Sequence, residues 1–171
     1  ANTNAQALSA AVVTIDTNSL GSFVFNHGDS TSGIQAFDDK TPSAWEEPWG
    51  MGLTTGIDLV TGAGTSTSVM WKLPTVLGVS LTGTYVPNMG AVDTADKTAG
   101  GGTANNDGRG FDVTLNINPT LGTEILSGLN IFAAGHSSEQ YWAAASKNND
   151  HHEASAGITY AIGPVSLGFQ R

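Results

Sequence analysis

The amino-acid sequence predicts an all-β protein built from antiparallel strands. Apolar and polar residues alternate with a period of two in a series of short runs, which is the pattern of strands whose two faces differ. Turn-forming or glycine-rich segments separate these runs, and the chain contains 22 glycines. Charged residues make up only 12% of the chain, and the apolar residues are too thinly spread to form the stripe of an amphipathic helix. A helical fold is therefore excluded.

Eight predicted strands follow one another along the chain; the first is a run of small and β-branched residues, and the other seven alternate. They occupy residues 6–15, 20–26, 68–73, 79–85, 111–117, 129–134, 154–160 and 165–170. The first two runs are joined by the turn residues 16–19, so residues 1–26 are predicted to form an antiparallel hairpin. The other six lie within residues 65–171. The clearest is 111–117, in which apolar residues at odd positions alternate with Asp112, Thr114 and Asn116.

Residues 27–64 form the one long segment without a strand pattern or a sustained helix pattern. They hold six acidic residues against a single base, Lys40. A structureless connection of this length is uncommon in a compact domain. Its aromatic and aliphatic residues argue against disorder, and the spacing of Ser43 and Glu46 predicts one short helical turn within 41–48. We therefore expect an acidic loop that folds back onto the sheet.

The connections between strands differ in length in a regular way. The segments 27–64, 88–109 and 136–150 follow alternate strands and are predicted to be long loops, whereas the segments between them are mostly short. Antiparallel strands place alternate connections at opposite ends of a sheet, so the long loops all belong to one end. This asymmetry is expected of outer-membrane β-barrels and is not required of a soluble sandwich.

The two predicted faces of the sheet also favour a barrel. One face is apolar and carries aromatic residues near strand ends, which suits contact with lipid. The other face holds Lys72, Asp112, Thr114 and Asn116 together with further hydroxyl and amide side chains. That face is too polar for the dry interior between two packed sheets. These four residues are therefore predicted to face a water-filled lumen.

Several segments resemble the general diffusion porins of the Gram-negative bacterial outer membrane, in particular those of the alphaproteobacterial type. The resemblance lies in residues 20–25 (LGSFVF), 38–47 (DDKTPSAWEE), 69–74 (VMWKLP), 79–85 (VSLTGTY) and 160–169 (YAIGPVSLGF). It implies a transmembrane β-barrel of about 16 strands, to which residues 1–171 contribute a single segment of about seven or eight. It also implies that residues 27–64 fold into the lumen as a constriction loop, and that the barrels associate as homotrimers.

The function implied by the resemblance is passive diffusion of small hydrophilic solutes and ions across the outer membrane, without catalysis. The residues that narrow the lumen are then Trp45 and the acidic positions Asp38, Asp39, Glu46 and Glu47. Carboxylates lining such a constriction concentrate cations and repel anions. No cofactor is expected, although Asp38 and Asp39 are also candidate ligands for Ca²⁺.

Other functions have less support in the sequence. A net charge of −9 with six scattered basic residues argues against a nucleic-acid partner, and no enzyme signature is present. His151, His152 and Glu153 suggest a metal site, but the two adjacent histidines point to opposite faces of a strand and chelate poorly, so a surface cluster at the end of a loop is favoured. The alternative that stays open is a soluble β-sandwich or jelly roll with a structural or adhesive surface role. A sandwich must bury the polar face, whereas a porin must wet it.

Overall fold

The computed structural model describes residues 10–28, 33–37, 40–41, 60, 62–63, 66–89, 106–119, 126–142 and 147–171. The strands are β1 (Ala11–Asp16), β2 (Ser22–His27), β3 (Ser68–Lys72), β4 (Val79–Val86), β5 (Asn106–Ile117), β6 (Leu129–Trp142), β7 (Lys147–Ile162) and β8 (Val165–Gln170). One turn of 3₁₀ helix, Ile34–Phe37, lies between β2 and β3. No helix among the described residues is long and apolar enough to cross a bilayer.

The eight strands form a single antiparallel sheet in the order in which they occur along the chain. Each strand pairs with the next, from Asp16 opposite Ser22 in the first hairpin to Ile162 opposite Val165 in the last. The predicted all-β antiparallel fold is confirmed, and every one of the eight predicted runs overlaps a strand. In the described part of the chain the sheet is open, with β1 and β8 at its two edges.

One end of the sheet, here called the turn end, carries the connections 17–21, 73–78, 118–128 and 163–164. Gly21 shows how tightly the chain reverses there. Its φ is +82°, and a Cβ at this position would lie 2.0 Å from the carbonyl oxygen of Lys72. A residue with a side chain does not fit, so the first hairpin depends on glycine where it meets β3.

The opposite end, the loop end, differs from prediction at its third connection. Residues 136–150 are predicted above as a long loop, but β6 continues to Trp142 and β7 begins at Lys147. The prediction is wrong because this stretch is polar on both faces and lacks the alternation that reveals a half-buried strand. β5 likewise begins at Asn106, within the predicted loop 88–109. Strands β5 to β7 are therefore longer than the other strands of the sheet.

The sheet buries its more polar face and exposes its apolar one. On the buried face, here called the inner face, Asp112 is 1% exposed and Thr114 is 6% exposed. On the outer face, Phe111 and Val113 of the same strand are 56% and 52% exposed. The buried polar residues are Asn26, Ser68, Thr84, Asp112, Thr114, His136, Ser138 and Ser155, and the buried apolar strand residues are Val24, Met70, Val86, Phe132 and Ala134. The inner face is thus mixed, whereas the outer face is uniformly apolar over most of its area.

The described residues of segment 27–64 form a small second layer over part of the inner face. Ile34 and Phe37 of the 3₁₀ helix pack on Phe132 and Ala134 of β6. The rings of Phe37 and Phe132 stack with their centroids 5.2 Å apart and their planes at 15°. Burying a side chain of this size contributes about 1.5–3 kcal/mol. The described parts of the segment therefore fold back onto the sheet, as predicted.

The strand ends are staggered across the sheet. A row of cross-strand partners starts at Asp16, the last residue of β1, and reaches Ser155 on β7, seven residues before that strand ends at Ile162. The row passes through Ser22, Lys72, Thr82, Thr114 and Ala134. Along the strands, seven residues at about 3.3 Å each span about 23 Å. Across the sheet, the six spacings from β1 to β7 at about 4.8 Å each span about 29 Å. A line drawn through the turns is therefore not at right angles to the strands, and the strands are tilted by about 40° from the perpendicular to that line.

Candidate functional site

The candidate site is the inner face of β4 to β8 together with the loop segments that lie on it. Thr84 of β4, Asp112 of β5, His136 of β6 and Glu153 of β7 are successive cross-strand partners. Directly opposed residues in antiparallel strands share a face. A single row across four strands therefore carries a hydroxyl, two carboxylates and an imidazole, and we call it the polar row.

Asp112 and His136 form a buried pair in the middle of the polar row. His136 Nδ1 donates a hydrogen bond to Asp112 Oδ1, and both side chains are wholly buried. Asp112 Oδ2, His136 Nε2 and Thr84 Oγ1 have no hydrogen-bond partner among the described residues. Truncating one member of the pair leaves the other buried and unbonded, which costs about 1–3 kcal/mol. Unpartnered buried polar atoms are rare in folded proteins, so this row is the leading candidate site.

Glu153 connects the polar row to the returning part of the loop. Its Oε2 accepts a hydrogen bond from the backbone nitrogen of Gly62 at 2.8 Å, and its Oε1 accepts one from His151 Nε2 at 3.0 Å. A Cβ at Gly62 would lie 2.0 Å from Ile34 Cγ2 and 3.1 Å from Asp112 Oδ2, and the residue has a φ of +50°. The chain at Gly62 therefore lies directly over Asp112, and glycine permits this approach.

Gln170, at the end of β8, holds the outgoing part of the loop. Its Nε2 donates to the carbonyl oxygen of Phe37 and to Ser155 Oγ, while its Oε1 accepts from the backbone nitrogen of Lys40 at 3.1 Å. Ser155 Oγ also donates to the Phe37 carbonyl, at 3.3 Å. The loop atoms bonded by Gln170, Ser155 and Glu153 in these contacts are all main-chain atoms. The wall side chains thus fix the path of the loop through its backbone.

The four residues predicted to face a lumen share the inner face. Asp112 and Thr114 are buried because the loop covers them; a Cβ added at Gly33 would lie 3.2 Å from Thr114 Cγ2. Asn116 is half-buried, and Lys72 is exposed near the turn end. Their position on one face agrees with the predicted alternation. Asp112 is buried because the loop covers it.

The residues predicted to form the constriction itself lie outside the described residues. They are Asp38, Asp39, Trp45, Glu46 and Glu47. Their roles, and the Ca²⁺ site suggested for Asp38 and Asp39, stay predictions. The residues on either side of Asp38 and Asp39, namely Phe37 and Lys40, are both hydrogen-bonded to Gln170.

Two side chains of the site, His136 and Gln170, were not singled out from the sequence, and neither was the contact between Glu153 and Gly62. Glu153 and Gly62 are 91 residues apart, and Gln170 and Phe37 are 133 residues apart, so no local pattern links them. His136 lies in the stretch predicted as a loop. Its position on the inner face could have been found by continuing the period of two along β6 beyond Ala134.

Comparison with known proteins identifies no family. The chain matches no protein-family model, no curated protein and no solved structure. The resemblance to porins therefore stays a prediction from the segments quoted above. Three features of the molecule bear on its function: the polar inner face, the apolar outer face and the loop held on the inner face through its main chain.

Proposed function

We propose that this chain forms part of the wall of a water-filled channel through which small hydrophilic solutes and ions diffuse passively across the bacterial outer membrane. The observation that carries the proposal is the inverted distribution of polarity in the sheet. The outer face exposes large apolar side chains, while carboxylate, imidazole, amide and hydroxyl groups lie on the inner face. A soluble protein normally places these classes of side chain the other way round.

The outer face has the size and composition of a surface that lipid covers. Large apolar side chains more than a third exposed occur on each of the eight strands; they include Ile15, Phe25, Trp71, Tyr85, Phe111, Ile131, Ile158 and Phe169. Leaving apolar surface in water costs about 25 cal/mol per Å². Contiguous exposed patches larger than a few hundred Å² mark membrane or protein contact. Acyl chains are the partner that matches a face extending over a whole sheet.

The inclination of the strands supports a barrel. Strands in transmembrane barrels are tilted by about 35–45°, and the stagger at the turn end corresponds to about 40° when the turns lie level with the membrane surface. The open edges at β1 and β8 leave room for the remaining strands of a barrel of about 16, which is wide enough for an aqueous lumen. The homotrimer implied by the resemblance belongs to the same proposal.

The loop supplies the narrowing of the channel. Its described parts cross the inner face from the side of β4 and β5, near Gly33, to β8, at Lys40. A segment placed there reduces the cross-section of the lumen without closing it. Acidic residues on such a segment favour cations, because the low-dielectric wall focuses their field. Asp38, Asp39, Glu46 and Glu47 are the residues to which we assign this role.

Cysteine accessibility tests the proposal directly, because the chain contains no cysteine of its own. Val113→Cys and Asn116→Cys place single thiols on opposite faces of β5. In the native protein reconstituted into phospholipid vesicles, with a charged thiol reagent on both sides, we expect Asn116→Cys to react and Val113→Cys to stay unmodified. The reason is that the reactive thiolate forms in water and not in hydrocarbon.

Two comparisons complete this experiment. Thr82→Cys and Leu115→Cys repeat it on the two faces, and denatured protein, in which all four thiols react, controls for reagent quality. Rapid labelling of Val113→Cys in vesicles contradicts the proposal. A protein that is monodisperse without detergent, in which Val113→Cys reacts and Asn116→Cys does not, identifies the sandwich alternative instead, because a sandwich buries the polar face.

A further inference from the structure

Two histidines of the inner face each donate one ring N–H to a neighbouring carboxylate. His136 donates its Nδ1–H to the Asp112 carboxylate, and His151 donates its Nε2–H to the Glu153 carboxylate. A carboxylate oxygen only accepts hydrogen bonds, so the second nitrogen of each neutral ring keeps its lone pair. His136 Nε2 is wholly buried and has no hydrogen-bond partner in the part of the chain that the structure describes. Each imidazole therefore presents one free, oriented nitrogen.

The register of β6 and β7 brings these rings together. His136 is directly opposite Glu153, and His151 lies two residues before Glu153 on β7. The two histidines are therefore diagonal neighbours on one face. Their ring centroids are 6.3 Å apart, with planes tilted by 58°. The side chain of His151 is 46% exposed, whereas that of His136 is wholly buried. One ring is fixed, and the other is accessible and free to adjust.

We propose that His136 and His151 bind a divalent transition-metal ion of the Zn²⁺ type. Imidazole nitrogen suits such ions, which bind at about 2.0–2.1 Å. Two imidazoles on one tetrahedral ion have ring centres about 5 Å apart, so a shift of about 1 Å by exposed His151 completes the pair. The hydrogen bonds that the two histidines donate to Asp112 and Glu153 are of the kind that orients metal-binding histidines, and both carboxylates add negative charge beside the ion.

Water fills the other coordination positions of this ion. No group of three or more His, Cys, Asp or Glu side chains among the described residues is arranged to hold a metal. The site is therefore a two-histidine site of modest affinity. It lies beside the hydrogen bond that Gly62 donates to Glu153, at the point where the loop returns to the wall. The binding itself does not depend on the channel proposal.

Titration calorimetry with Zn²⁺ alone, on the native protein in detergent solution, tests the site. We expect about one Zn²⁺ per chain, bound with modest affinity. His151→Ala removes an exposed ligand. Losing a residue that only orients a metal ligand weakens binding by about 10–100-fold, so losing the ligand itself should weaken Zn²⁺ binding by more than that. His136→Gln should do the same, provided that its thermal unfolding shows a folded protein.

The chain offers two matched controls. His152→Ala changes the neighbouring residue, which is exposed on the outer face, and His27→Ala changes the remaining histidine. Both should bind Zn²⁺ as the unaltered protein does. The proposal is overturned if the unaltered protein binds no Zn²⁺, if His151→Ala binds it normally, or if His152→Ala weakens binding as much as His151→Ala.

Discussion

Gly157 of β7 leaves the space on the inner face into which the ring of Phe132 packs. A Cβ there would lie 2.4 Å from Phe132 Cζ and 2.6 Å from the carbonyl oxygen of Phe169. Phe132 occupies the space that Gly157 leaves, and Phe37 of the loop then stacks on Phe132. Gly135 of β6 lies on the other face, and a Cβ there would meet nothing within 4 Å.

This difference predicts opposite outcomes for the same substitution. Gly157→Ala should lower the free energy of unfolding by about 1–3 kcal/mol, because Phe132 and the β8 backbone must move. Gly135→Ala should leave it almost unchanged. Urea unfolding followed by tryptophan fluorescence measures both. Equal effects of the two substitutions would mean that the close contact at Gly157 is easily relieved.

At the scale of elements, the sequence was informative wherever a strand has one apolar face. Seven of the eight strands were located by their period of two, including Phe111 to Ile117 of β5, and β1 was located by its small and β-branched residues. The upper parts of β6 and β7 were missed because residues such as His136 and His152 make both faces polar there. The one-turn helix Ile34–Phe37 was missed because four residues are too few to show a helical period. The polar row could not be predicted from the sequence, because its residues become neighbours only when four strands pair.

The attachment of the loop at Gln170 predicts a measurable change in local stability. Gln170→Leu removes the hydrogen bonds to the Phe37 carbonyl and to the Lys40 nitrogen, so the loop should open more often. Trypsin cleavage after Lys40 reports this opening, because cleavage tracks the population of the open state. We expect faster cleavage in Gln170→Leu, with an unchanged rate of cleavage in denatured protein.

Ser166→Ala is the matched control for the Gln170 variant. Ser166 lies on the same strand and face, is exposed, and makes no hydrogen bond to the described parts of the loop. Its cleavage rate should equal that of the unaltered protein. If Gln170→Leu is cleaved no faster than Ser166→Ala, the clamp at Gln170 contributes little to holding the loop.

At the scale of the whole molecule, charge is unevenly distributed between loop and sheet. Segment 27–64 carries six of the fifteen acidic residues and one of the six basic ones. In the proposed channel this excess lies in the narrowest part of the lumen. The field of the excess charge weakens over a distance of about 10 Å at 0.1 M salt, so its effect on passing ions should be strongest in dilute salt.

Ion selectivity is therefore expected to depend on the loop acids. Replacing Asp38, Asp39, Glu46 and Glu47 by their amides should lower the preference for cations, seen as a reversal potential closer to zero in planar bilayers under a salt gradient. The difference should shrink as the salt concentration rises. Asp150→Asn, at an exposed position on β7, is the control and should leave the reversal potential unaltered. An unchanged potential in the fourfold variant removes the role assigned to these acids.

Because Gln170, Ser155 and Glu153 bond to main-chain atoms of Phe37, Lys40 and Gly62, the anchorage is largely indifferent to which amino acids the loop contains between those points. Mutations that alter its charge or bulk can accumulate over evolutionary time while the anchoring bonds persist. Descendants of one ancestral gene can in this way diversify in what they admit, on an architecture that stays the same.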